Sequence, residues 1–251
     1  MEPFLFVFGL SIFTLEVMET LFGIYSKGTK RKLLKFIGVE SKDPYMKYKE
    51  IAFFKELFAN FKPMKCLEYG CGTSTPYYMD HLPVGASWYS VEHHKGWFEK
   101  ISAQIQRPNL HLDFVDIEGN EPKGPKDDVY AGLPKQNAPF DFILVDGIRR
   151  ENCTELAHQF LSENGLVVVH DSNRVQYHEH IKKFKYWFIL QDFRKSAGGL
   201  GLASNHVDVR QLVDLNAHAK LWKKDTAISN LFKFKYLMGK KSKPFKLEKS
   251  S

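Results

Sequence analysis

The chain has 251 residues, 43% of them hydrophobic, enough for one well-buried α/β domain with an added terminal segment. Its net charge of +7 is local: Leu221 to Ser251 carries nine lysines against Asp225 and Glu248, so the rest of the chain is near neutral. Three cysteines, Cys66, Cys71 and Cys153, form no CxxC pair and an odd count. That excludes a disulfide framework or a structural zinc site and suits a reducing compartment, the cytoplasm.

Phe4 to Leu15 is an uncharged run of twelve residues, followed by Glu16, Glu19 and then a basic group from Lys27 to Lys35. Twelve is too short to span a bilayer, and a longer span would enclose two carboxylates. Residues 1–35 therefore suit a membrane-lying helix or an N-terminal anchor, and equally a helix packed on the domain or on a partner subunit. After Lys42-Asp43-Pro44, the apolar residues Ile51, Phe54, Phe58 and Phe61 recur at helical spacing, so Tyr45 to Phe61 reads as an amphipathic helix leading into a domain over 45–215. Strands are expected at Lys65 to Tyr69, Ser87 to Glu92, Leu110 to Val115, Phe140 to Val145 and Leu166 to His170. Helices are expected near Pro76 to Asp80, Lys95 to Gln106, Glu151 to Leu161 and Val175 to Phe184. This alternation predicts a Rossmann-like, doubly wound α/β sheet of about seven strands, parallel and covered on both faces.

The stretch from Ile117 to Ala138 is rich in Pro, Gly, Asp and Lys and reads as a flap over a site. Trp187 to Phe193 and His206 to Val213, separated by a glycine-rich turn, suit a terminal antiparallel pair. Residues 216–251 read as a solvated basic tail that could touch anionic lipid, a polyanion or nucleic acid. Nucleic acid is not an expected substrate, because no Asn-Pro-Pro-Tyr-type motif or reading module is present.

The most informative stretch is Cys66-Leu-Glu-Tyr-Gly-Cys-Gly-Thr-Ser-Thr75, a buried strand that breaks into two glycines and resumes with hydroxyl residues. In a parallel sheet such a turn lies at the carboxyl end of the first strand, where ligands bind. Gly70 and Gly72 permit a tight turn and close backbone approach, and Glu68 would place a carboxylate at the rim, which repels a pyrophosphate and attracts a cation. A dinucleotide fingerprint needs a third glycine where Thr75 stands.

With Glu68-Tyr69-Gly70-Cys71-Gly72, the chain resembles the class I S-adenosylmethionine-dependent methyltransferases over roughly Met64 to Val213. The resemblance implies a cofactor site of Glu68, Gly70, Gly72, Thr73 and Ser74, joined by Glu92 at the end of the second strand, Asp116 at the end of the third and Asp146 at the end of the fourth. Glu92 can accept hydrogen bonds from ribose hydroxyls, and Asp116 falls where the family contacts the adenine region. Asp146-Gly-Ile-Arg-Arg150 and His170-Asp-Ser-Asn-Arg-Val-Gln-Tyr177 look like the corresponding segments of small bacterial methyltransferases. They also partly resemble the plant glucuronoxylan O-methyltransferases, in which a His-Asp-x-x-Arg segment ends the fifth strand.

These likenesses imply methyl transfer to oxygen on a small molecule or saccharide. Asp146 is the first choice as base at the transferred methyl, with His170 and Asp171 beside it. Arg149, Arg150, Arg174 and Tyr177 fall on the acceptor side, where the arginines suit a carboxylate or phosphate or pair with local acids. Catechol-type O-methyltransferases hold a divalent cation at the same strand ends, and Asp146, Asp171 and Asn173 could supply oxygens. Ser172 interrupts that family's Asp-Asn pair, so no metal is expected. Two alternatives remain: aminopropyl transfer on the same fold, against which the arginines near Asp146 argue, and a membrane-associated interaction protein that kept the fold without turnover.

Overall fold

The computed structural model describes residues 44, 46–194, 196–236 and 243–251, with only the backbone of 228–236. The apolar run at Phe4 to Tyr25 lies outside the described residues. Among those described, no helix is long and apolar enough to cross a membrane.

Five parallel strands occupy the expected places: β1 (Lys65–Tyr69), β2 (Ser87–Glu92), β3 (Leu110–Phe114), β4 (Phe140–Val145) and β5 (Leu161–His170). Three more complete an eight-stranded sheet: β6 (Tyr186–Gln191), β7 (Leu200–Ser204) and β8 (Lys246–Lys249). The order is β3-β2-β1-β4-β5-β7-β6-β8, with β7 antiparallel to β5 and β6, and β8 antiparallel to β6. The helices are α1 (Tyr48–Asn60), α2 (Ser74–Met79), α3 (Lys95–Gln104), α4 (Val129–Gly132), α5 (Arg150–Phe160), α6 (His178–Ile181) and α7 (Leu215–Tyr236).

Alternation along the strands builds two cores, as a sheet covered on both faces requires. Cys66, Trp88, Phe142, Leu144 and Val168 pack under α1 against Phe53, Phe54, Leu57 and Phe58. Leu67, Tyr69, Ile143, Val145 and Val167 face the other way, against Leu156 and Phe160 of α5. The sheet thus fixes which strand residues can reach each layer, and their carboxyl ends all emerge along one edge.

Four expectations are corrected. The antiparallel partner of β6 in the expected pair is Leu200–Ser204, inside the glycine-rich stretch, and His206 to Val213 instead forms a bend with a 3-10 turn at Val209–Gln211, whose backbone Asp208 caps at Arg210 N (3.1 Å). Glycine sits within β7 because α6 crosses it closely: a Cβ on Gly201 would lie 2.5 Å from Ile181 Cδ1. Val175 to Phe184 is a 3-10 turn followed by the one-turn α6. The basic end is no free tail, since Trp222 of α7 is fully buried and β8 closes the sheet edge with Glu248 bonded to Lys182 (2.6 Å). Lastly, Ile117 to Ala138 is no loose flap: Tyr130 and Ala131 are fully buried, and Tyr69 Oη donates to the Ala131 carbonyl (2.7 Å).

Candidate active site

β1 has β2 on one side and β4 on the other, so strand order reverses beside it and a crevice opens at the carboxyl ends. Gly70 turns there with φ +90, and its N–H is bonded to Val91 O (2.8 Å). It stands back to back with Gly147 after β4, where a Cβ on Gly70 would lie 2.6 Å from the Gly147 Cα. A Cβ on Gly147 would strike the Tyr130 hydroxyl. Gly72 differs, because a Cβ there meets only Ser74 Oγ at 3.8 Å, so nothing in the protein itself demands glycine. The resulting cavity of about 400 Å³ is lined by residues 70–74, 92–94, 97 and 146–148. Thr73 and Ser74 lie within that lining, and the buried Thr73 Oγ1 has no hydrogen-bond partner.

Glu68 is not at the rim. Strand alternation turns it to the same face as Cys66, fully buried, where its Oε2 accepts from Thr75 Oγ1 (2.7 Å), Ser90 Oγ (2.7 Å) and Trp88 Nε1 (3.0 Å). Thr75 Oγ1 in turn accepts from Gly72 N (3.0 Å), so Glu68 shapes the glycine turn from beneath. Burial raises its pKa to about 7 against those hydrogen bonds, and Oε1 has no partner. Glu92 does line the cavity. Its Oε1 accepts from His93 N (2.9 Å) and His94 N (2.7 Å), and its Oε2 from Cys71 N (2.9 Å), which clamps the first turn to the second. Asp116 is exposed, outside the lining, and caps its own loop at Glu118 N (2.9 Å). Cys71 is a buried thiol whose pKa burial pushes up, which leaves it unreactive.

The structure brings Asp146, His170 and Asp171 together, but inside an ion network that the sequence reading did not contain. His170 Nδ1 lies 2.8 Å from Asp146 Oδ1, and its Nε2 lies 3.7 Å from Glu50 Oε1, an ion-pair distance. Glu50, fully buried on α1, pairs with Arg194 (2.5 Å); Arg194 pairs with Asp192 (2.6 Å); and Lys49 joins Asp192 (2.7 Å) to Asp225 (2.6 Å). Lys47 reaches Asp225 (3.1 Å), while Arg150 reaches Asp146 and Asp171, each at 3.2 Å. Five carboxylates therefore face Arg194, Arg150, Lys49 and Lys47, with Arg174 4.0 Å from Asp171, and protonated His170 adds a further positive charge between Asp146 and Glu50.

Burial disfavours the imidazolium, yet Asp146 and Glu50 outweigh it and raise His170 to about 10. Burial likewise opposes ionised Glu50, but Arg194 and His170 outweigh it and hold that carboxyl at about 2. Asp146 is held below its ordinary range because His170 and Arg150 overcome its burial. Glu50 titrates near 4.5 when unfolded, so the stability it contributes is complete above pH 4.5 and lost as pH falls towards 2. The contribution of His170 is complete below pH 6.5 and lost as pH rises towards 10. Melting temperatures should accordingly decline from pH 6.5 to 10, and more shallowly in His170→Asn. Equal slopes in the two proteins would contradict the paired imidazolium.

The expected acceptor residues are tied up elsewhere. Arg149, in the left-handed region at φ 48, donates to Asn120 Oδ1 (2.7 Å) and Asp128 Oδ1 (3.1 Å), fastening the 117–138 segment. Arg174 is half-buried and donates to Ser196 O (2.6 Å) and to the hydroxyl of buried Tyr177 (2.9 Å). Asn173 Nδ2 donates to Asp192 Oδ1 (2.7 Å) and Ala197 O (2.8 Å), so it holds the β6–β7 connection.

Sequence reading missed Glu50, Asp192 and Arg194, and the cavity-lining His93, His94, Trp97 and Ile148. Glu50 had a readable signal: with Phe53, Phe54 and Leu57 it forms the i, i+3, i+4, i+7 stripe that faces the core. Asp192 and Arg194 become partners of Glu50 only through the strand order, which no local pattern specifies.

No family model matches the chain, and no curated protein matches it in sequence. Solved structures do match in three dimensions. An O-methyltransferase from Bacillus cereus, in complex with SAH, is 13% identical at a TM-score of 0.52, over 76% of this chain and 96% of that one. A candidate O-methyltransferase from Klebsiella pneumoniae is 14% identical at the same TM-score of 0.52, over 76% and 95% of the two chains. The strand order, the reversal beside β1 and these superpositions agree, and the chain has the fold of the class I S-adenosylmethionine-dependent methyltransferases.

Proposed function

We propose that the protein is an S-adenosylmethionine-dependent methyltransferase acting on an oxygen of a small molecule or saccharide. The observation that carries this reading is the cavity over the glycine turn. It is open where a Cβ at Gly72 would stand, and it is lined by Thr73, whose buried hydroxyl has no partner, and by Glu92 against the turn. Those features fit a ligand with hydroxyl and amino groups and a positive charge. When bound, that cofactor supplies a methyl carbon already activated by its sulfonium.

The residues that would hold it are Gly70, Gly72, Thr73, Ser74, Glu92 and Asp146, with His93, His94, Trp97 and Ile148 completing the wall. Asp116 has no place in the set. Glu92 Oε2 accepts one N–H and retains a lone pair for a ribose hydroxyl. Glu92→Gln is expected to weaken cofactor binding by about 1 to 3 kcal/mol, measured by calorimetry. Unchanged affinity would remove Glu92 from the site.

The electrostatics narrow the acceptor. His170 is already protonated and Asp146 is held ionised below its usual range, so neither is a strong base at neutral pH. This favours an oxygen that ionises readily, such as a phenol or the carboxylate of a sugar acid, over a plain alcohol. The test is release of S-adenosylhomocysteine from a panel of phenols, sugar acids and simple alcohols, followed by mass spectrometry. Turnover confined to acidic oxygens is the expected result. Preference for plain alcohols would overturn the acceptor reading, and binding without release across the panel would favour an interaction protein.

A further inference from the structure

Asp146, His170 and Asp171 each offer a ligand atom, all within 4.8 Å of one another, a spacing a metal ion could use. Yet a cation is already built into this corner of the fold. Arg150 opens α5 immediately after the left-handed Arg149, and only 8% of it is exposed. Its Nε donates to Gly147 O (2.8 Å), its Nη1 to His170 O (2.5 Å) and its Nη2 to Asp146 O (2.6 Å). Nη1 also lies 3.2 Å from Asp171 Oδ2, and Nη2 lies 3.2 Å from Asp146 Oδ1. Three carbonyls and two carboxylates therefore converge on one guanidinium. These are the hard oxygen donors that a divalent cation prefers, here already bonded to a cationic side chain.

We propose that Arg150 is the resident cation of the site, neutralising Asp146 and Asp171 and fixing their geometry in place of a metal. A guanidinium suits the position because its five N–H donors lie in a fixed plane and it stays charged at any working pH. A divalent ion entering the shell would have to expel a tethered cation and leave it buried without its partners, which is strongly unfavourable. His170 Nδ1, which faces both carboxylates, is itself committed to Asp146 Oδ1 (2.8 Å), while Nε2 is turned towards Glu50 (3.7 Å). Arg150 is thus a positioning residue: it acts on the cavity through Asp146, which lines it. That this makes methyl transfer metal-free rests on the proposed function, whereas the cation chemistry stands independently of it.

The test is calorimetric titration of the full chain with Mn²⁺, first without any cofactor. The wild-type protein should show no saturable site, and its affinity for S-adenosylmethionine should be the same with and without EDTA. Arg150→Met, which keeps an unbranched apolar stem and removes the charged head, should acquire one Mn²⁺ site at least about tenfold tighter than any wild-type binding, and Mn²⁺ should raise its melting temperature. One equivalent bound by the wild type and lost in Asp171→Asn would overturn the proposal, as would a folded Arg150→Met that takes up no ion. If that variant fails to fold, the wild-type titration decides alone: an Asp171-dependent site refutes the proposal and its absence sustains it. Failure to bind S-adenosylmethionine at all would count against the proposed function and leave the Mn²⁺ result standing.

Discussion

Glu50→Ala is expected to destabilise the fold by about 3 to 5 kcal/mol, the largest effect of any single charge removed. Glu50 is fully buried and is the carboxylate between Arg194 and His170, so its loss leaves two cations without their shared partner. The remaining charges cannot rearrange easily, because Asp192 already serves Arg194 and Lys49, and Asp146 already serves His170 and Arg150. Glu56, on the same helix, provides the control. It pairs with buried His218 at 2.7 Å and accepts from Asp214 N (2.7 Å), but its own side chain is 34% exposed, so Glu56→Ala should cost about 1 to 2 kcal/mol, less than Glu50→Ala. Denaturant midpoints compare the two, and a loss below about 1 kcal/mol for Glu50→Ala would show that the network is dispensable.

The second large effect separates the two glycines of the turn. Gly70→Ala should cost at least about 2 kcal/mol, since φ +90 is strained for an L residue and the new methyl would meet backbone at 2.6 Å. The turns after β1 and β4 would have to part, which distorts the crevice as well as weakening the sheet. Gly72→Val should leave stability unchanged to within about 0.5 kcal/mol, because only Ser74 Oγ at 3.8 Å lies near the added Cβ. Its side chain instead projects into the cavity, and cofactor affinity should fall at least about 100-fold. A Gly72→Val protein that unfolds, or that binds like the wild type, would contradict the assigned geometry.

Legibility followed the range of the interactions. β1, β2 and β4 were readable to the residue because each is a short apolar run bounded by turn residues, buried on both faces once folded. β7 was not, because Gly198, Gly199 and Gly201 signal a turn locally, and only Gly201 lies in the strand, where the Ile181 side chain of α6 crosses from elsewhere in the chain. β8 was hidden for a related reason: Lys246 to Lys249 has no apolar pattern, and it becomes a strand by pairing with the edge of β6. At the site, the glycine turn and Glu92 announced themselves by type and spacing. The acids at the strand ends were also visible, but their partners were not. Glu68 could be placed at a strand end, while its direction depended on which face Cys66 and Trp88 occupy. Asp146 and His170 could be read as candidate bases only while Glu50, Arg150 and Arg194 stayed out of view.

Those partners convert two presumptive bases into a fixed, charge-balanced pair beside the cavity. The site is built for fixed geometry: the glycine turn shapes one wall, Glu92 clamps the first turn to the second, and the ion network holds Asp146 ionised.

The most direct measurement is calorimetric titration of the wild-type protein with S-adenosylmethionine and, separately, with a nicotinamide dinucleotide, alongside Gly72→Val. One equivalent of S-adenosylmethionine bound by the wild type, none by the variant and no dinucleotide by either is the predicted result. Dinucleotide binding, or S-adenosylmethionine binding that survives the valine, would contradict it.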